Sequence, residues 1–189
     1  MPNTLEKRPF LPKIEGVRIH LELCGPRHSA TVWSYIERDH LKGGKIYRWI
    51  ESESDVKKYI TELPDLNVRD ITYLIFKMNQ AIGSIHIHTL NYLDHKAEIG
   101  FAIEKGEEGM GYVSESVGLI ETEMKRLGFN KLVISCSPDN LRSMQVAERN
   151  GFKKEGVFVQ DVVEDGGFRD SVIFGKLLRE GNENTCAQG

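Results

Sequence analysis

The chain has 189 residues, 40% of them hydrophobic and 28% charged, with a formal net charge of −3. That length holds one domain with a substantial core and is short for two, and the weak negative balance argues against a nucleic-acid partner. No apolar run reaches membrane-spanning length, and Met1 to Phe10 lacks the apolar centre of a secretory leader, so no membrane partner is expected. Three scattered cysteines, Cys24, Cys136 and Cys186, do not make a disulfide framework. A reduced, cytoplasmic, single-domain protein is expected.

Residues 1–16, with Pro2, Pro9 and Pro12, read as an extended arm. Val17 to Leu23 then alternates apolar and polar residues, the period of a half-buried strand. Gly25-Pro26 punctuates, and a helical stretch runs through Trp33 and Tyr35 to about Arg38. Ser54 is the expected N-cap of a short helix carrying Val56, Tyr59 and Ile60 and ending near Pro64. Ile71 to Lys77 and Ala81 to Leu90 read as an antiparallel hairpin, followed by a strand from Ala97 to Glu104.

After a glycine turn, Val113, Val117, Ile120, Met124 and Leu127 recur at spacings of four and three on one helix face, with Gly128 as the stop. Lys131 to Ser135 is a short apolar strand, and Ser137-Pro138-Asp139-Asn140 opens a helix ending at Asn150-Gly151. Phe152 to Gln160 and Phe168 to Leu177 form a last hairpin, and residues 179–189 read as a disordered polar tail. The order β-α-α-β-β-β-α-β-α-β-β predicts an α/β domain over residues 17–178, one mixed sheet with helices on both faces.

Glu108-Gly109-Met110-Gly111-Tyr112-Val113-Ser114 is the turn that opens the longer helix. A glycine-rich helix start leaves backbone N–H groups aimed outward at the positive end of the helix dipole, a ready site for phosphate. The same pattern also serves as a plain strand-to-helix connection. It is not a P-loop, since no Gly-Lys-Ser/Thr follows, and Ser114 stands where a dinucleotide fingerprint needs glycine.

Three blocks together resemble the GNAT superfamily of acyl-CoA N-acyltransferases, and within it the RimJ/RimL-type acetyltransferases of ribosomal-protein N-termini. Ala97-Glu98-Ile99-Gly100-Phe101 looks like the family's fourth strand. The glycine turn is similar to its Q/R-x-x-G-x-G/A pyrophosphate loop. Asn140-Leu141-Arg142-Ser143, with Glu148, Asn150-Gly151-Phe152 and Glu155-Gly156, resembles its N-x-x-S…E-x-x-G-F…E-G signature most specifically. Two residues depart from the pattern: Glu108 puts a carboxylate where an amide or cation is usual, and Val113 replaces a smaller residue.

The resemblance implies a V-shaped splay between the two central parallel strands, with acetyl-CoA in the wedge as co-substrate. Phe101, Ala102 and Ile103 would pair with the pantetheine arm, residues Glu108 to Ser114 would hold the diphosphate, and Asn140 would bind the arm unless it serves only as a helix cap. The implied reaction is direct attack of a primary amine on the thioester. Ser143 would serve the leaving thiol, as RimL-like members carry serine at this position, unless it is a plain helix-surface serine; the tyrosine that many other members use is absent, since Ala147 stands in its place.

Glu98, His86 and His88 are candidate bases, with Asp161 and Glu164 as further candidates, and Glu98 reads equally as a sheet-face glutamate paired with a lysine or arginine. Two histidines at i, i+2 could begin a metal site, but no further ligand pattern follows, so no metal is expected. A protein N-terminus is the expected acceptor. A small amine (polyamine, amino sugar or antibiotic) and a non-catalytic CoA-binding module are the alternatives. Trp33, Tyr35, Tyr47, Arg48 and Trp49 would shape the acceptor groove or simply pack. Oligomeric state stays open, a homodimer among the options.

Overall fold

The structure, a computed structural model, describes residues 9–38, 50–66, 71–164 and 166–179. Tyr47, Arg48, Trp49, residues 1–8 of the arm and residues 180–189 of the tail lie outside the described residues. Among the described residues one sheet contains β1 (Lys13–Glu15), β2 (His20–Leu23), β3 (Ile71–Lys77), β4 (Gln80–Asn91), β5 (Lys96–Ile103), β6 (Lys131–Cys136), β7 (Lys153–Glu164) and β8 (Gly167–Leu177). Their spatial order is 1-2-3-4-5-6-8-7. Every neighbouring pair is antiparallel except β5 and β6, which makes the sheet mixed, as expected.

The helices are α1 (Ser29–Arg38), α2 (Glu53–Leu66), α3 (Tyr112–Arg126) and α4 (Leu141–Arg149). Alternation along β3 sends Tyr73 and Ile75 to one face and Leu74 to the other. Tyr73 and Ile75 join the core under α3, with Val113, Val117, Ile120 and Met124. Leu74 packs with Val32, Tyr35 and Ile36 of α1 and Val56 and Ile60 of α2. Helices therefore cover both faces. Tyr35 is fully buried in that second cluster and so serves packing, and Trp33 packs at its margin.

α3 ends in a Schellman turn at Gly128 (φ 87°): the Phe129 amide donates to the Met124 carbonyl and the Gly128 amide to that of Lys125. α4 ends the same way at Gly151.

Several details differ from the sequence reading, among them β7, which runs on to Glu164 rather than ending at Gln160. The arm contributes β1, which borrows its order from β2. The second strand begins at His20 rather than Val17, because the Val17 and Arg18 amides donate to the Glu115 carboxylate instead of to a strand. Ser52, not Ser54, sits at the start of α2, in a reciprocal box: its amide donates to Asp55 Oδ2 and its hydroxyl accepts from the Asp55 amide. α2 also runs past Pro64 to Leu66.

Candidate active site

Gly109 and Gly111 sit at φ 74° and 80°, the left-handed region where a side chain is strained. Gly111 is the N-cap of α3 and supplies no side-chain acceptor to the helix. The first amides of α3 therefore meet the cleft at the positive end of the dipole with no capping oxygen from Gly111. Arg18 braces the turn from behind: Nη1 donates to the Met110 carbonyl, and Nε donates to Glu115.

β5 and β6 pair only at Lys96↔Lys131, Ala97↔Leu132 and Glu98↔Val133, and then diverge. Two adjoining cavities, of about 970 and 700 Å³, open along that divergence. Phe101, Ala102, Asn140, Arg142 and Ser143 line both, so they form one continuous cleft. One end reaches Gly109, Gly111, Tyr112, Val113 and Ser114, and the other reaches His88 and Glu98. A long ligand with an anionic end and an amide-bearing arm fits this shape, anion at the α3 terminus and arm along β5.

The polar end is built by register. His88 lies directly opposite Glu98 across β4 and β5, so both side chains project to the same face. Gly100 makes room there, since a Cβ would lie 3.2 Å from His88 Nε2. Burial raises the Glu98 pKa above the usual carboxylate range, and the charge of Asp161 adds to this, while His88 and Lys96 oppose it. A carboxylate shifted toward neutrality is suited to taking up and passing on a proton.

His86 is brought to the same face but not to the cavity. It is buried, with Nδ1 3.0 Å from Thr72 Oγ1 and Nε2 2.9 Å from Ser84 Oγ, and its ring stacks on His88. Burial, and then the charge of His88, push its pKa down to about 3. This enclosed, neutral ring lines neither cavity and packs against His88, an arrangement that does not favour the role of base expected for it.

A stability prediction follows from the sign of that shift. The folded pKa lies below the unfolded one, so below about pH 6.5 the unfolded chain binds the extra proton and stability falls until about pH 3. At pH 5 the loss is about 2 kcal/mol from this group. His86→Gln should flatten the fall in Tm between pH 7 and 5 relative to wild type. Parallel pH profiles for the two proteins would exclude His86 as the source.

Of the remaining expected residues, Ile103 and Glu108 line the smaller cavity and Glu164 the larger. Met110 does not line the cleft: it is exposed, and only its carbonyl is engaged, by Arg18. Asn140 is the N-cap of α4, its Oδ1 accepting from the Ser143 amide at 3.0 Å, which fixes the first turn that carries Ser143.

Several cleft residues were not anticipated as such. Tyr59 and Asp139 line the larger cavity, and Arg142 lines both, with Nη1 2.6 Å from each Glu108 carboxylate oxygen. Among the described residues no three His, Cys, Asp or Glu side chains gather as a metal cluster.

Comparison with known proteins agrees with this geometry. The chain is 28% identical over 134 residues to the ribosomal-protein-serine acetyltransferase of Escherichia coli (strain K12), covering 69% of this chain and 75% of that protein. It is 28% identical over 169 residues to the putative ribosomal N-acetyltransferase YdaF of Bacillus subtilis (strain 168), covering 86% and 92%. A structure of RimL, a ribosomal L7/L12 alpha-N-protein acetyltransferase in complex with coenzyme A, superposes with a TM-score of 0.79 at 22% identity, over 87% of this chain and 97% of that one. The family model described as acetyltransferase (GNAT) domain matches residues 19–153. With the splayed strands, the glycine-capped helix and the Asn140–Ser143 turn all inside or beside that span, the chain belongs to the GNAT acetyltransferase family and is an acetyl-CoA-dependent N-acetyltransferase.

Proposed function

We propose that the acceptor is the N-terminal amine of a protein, and that Glu98, with His88 beside it, receives the proton of that amine. The observation that carries the reading is the half-buried Glu98–His88 pair at one end of a cleft whose other end suits a diphosphate. Bound acetyl-CoA supplies an activated acyl thioester. The residues of this chain do the rest. The α3 amides bind the anionic end, β5 orients the arm, and Ser143, whose backbone amide the Asn140 cap fixes, places its hydroxyl to serve the departing thiol.

Acceptor basicity supports an α-amine. An α-amine with a pKa of about 7.7–8.0 is partly neutral already, whereas a lysine at about 10.4 is almost wholly protonated, so a single modestly shifted carboxylate suits the first. The larger cavity is lined by Glu98, Asp139 and Glu164 against the single cation Arg142, an acidic excess that favours a protonated amine approaching from solvent. Beside Glu164 the β7–β8 hairpin exposes the facing pair Val163 and Phe168, an apolar surface that a polypeptide acceptor would cover and a small amine would not. The relatives named for ribosomal-protein acetylation point the same way.

The test is thiol release from acetyl-CoA with a panel of peptides, polyamines and amino sugars. Turnover is expected with peptides bearing an unblocked N-terminus, and none when that N-terminus is already acetylated. Faster turnover of polyamines or amino sugars than of every peptide would overturn the reading.

A further inference from the structure

The charged side chains that line the smaller cavity are Glu107, Glu108, Arg142 and Arg149, two of each sign. Three of the cations around the glycine turn are already committed, and Arg149 is not among them: Lys77 holds Glu107, Arg18 holds Glu115, and Arg142 holds Glu108 by both carboxylate oxygens. The last pair differs from the others in position. Glu108 belongs to the turn before α3, and Arg142 to the first turn of α4, so their contact spans the cleft that the coenzyme must occupy.

We propose that the Glu108–Arg142 ion pair is a latch across the coenzyme cleft, opened when the diphosphate of the coenzyme takes Arg142 in exchange for Glu108. This rests on the reading of the cleft as the coenzyme site. A diphosphate placed at the α3 amides adds negative charge beside a carboxylate, and Arg142, which lines that cavity, is the guanidinium already bound to that carboxylate. Glu108 therefore acts as an internal competitor that sets coenzyme affinity, and Arg142 as the group that changes partner. The turn keeps its shape without either side chain, because it is fixed by Gly109, Gly111 and the Arg18 bond to Met110.

Calorimetric titration of the whole protein with coenzyme A and with S-acetylpantetheine, which lacks the diphosphate, tests this. Glu108→Gln should tighten coenzyme A about fivefold, the scale of one exposed ion pair. Arg142→Gln should weaken it by about the same factor or more. Binding of S-acetylpantetheine should stay unchanged in both. Unchanged or weaker coenzyme A binding by Glu108→Gln would overturn the latch, and so would an equal shift for S-acetylpantetheine, which would signal a disturbed turn. Wild type that binds neither ligand would instead remove the coenzyme site itself, and the latch with it.

Discussion

Replacing Glu98 by glutamine is expected to lower kcat for acetyl transfer about 100-fold at neutral pH, with the Kd for acetyl-CoA held within about twofold. The amide keeps the shape of the side chain and its place opposite His88 in the β4–β5 register, and removes only the proton acceptor. Because burial raises the Glu98 pKa, the wild-type rate should climb as pH rises through that shifted value, while Glu98→Gln should lack this limb. Thiol release followed across pH measures both quantities. A variant with wild-type kcat would move the proton-accepting role to another group, and the register leaves His88 as the next in line.

The largest expected loss of stability comes from a residue with no chemistry at all. Gly83 lies opposite Ile103 where β4 meets the end of β5. A Cβ there would stand 2.5 Å from the Ala102 carbonyl oxygen and 2.9 Å from Ile103 Cδ1. Backbone cannot yield as a flexible side chain does, so Gly83→Ala must push the two strands apart. The expected cost is about 3 kcal/mol, seen as a fall in Tm of about 9 °C. Ala102 and Ile103 also line the coenzyme cleft, so acetyl-CoA affinity should fall with stability. Gly106→Ala, where the added Cβ meets nothing within 4 Å, should change Tm little, and an equal fall in both variants would refute the packing argument.

Much of the sheet was legible because its signals are local. Two strand-forming runs around a short turn marked β3 at the observed bounds and β4 within a residue at each end, and four-three spacing marked the buried face of α3. The coenzyme half of the cleft was legible for the same reason, since a glycine turn and the Asn140–Ser143 turn are short contiguous motifs. What escaped depends on contacts distant in sequence. β1 has three residues and exists through its pairing with β2. Val17 reads as strand until Glu115 takes its amide.

The two histidines show the limit most sharply. Period two puts His86 and His88 on one face, and nothing in the alternation says that one meets Thr72 and Ser84 while the other meets the cavity. Arg142 was visible only as part of a motif, because its partner lies 34 residues away. Tyr59 belongs to the spacing that reads as core, and it both packs on the α1–α2 cluster and reaches the larger cavity.

The three residue pairs that join β5 to β6 leave the sheet as two panels sharing one narrow seam. On one side stand β1 to β5, on the other β6, β8 and β7, stitched elsewhere by the common core beneath α3. A coenzyme arm lying in that seam, as proposed, would act as a suture between the panels. Cohesion of the molecule thus rises with the concentration of the metabolite it consumes, by the mass-action law that couples any native-state ligand to folding.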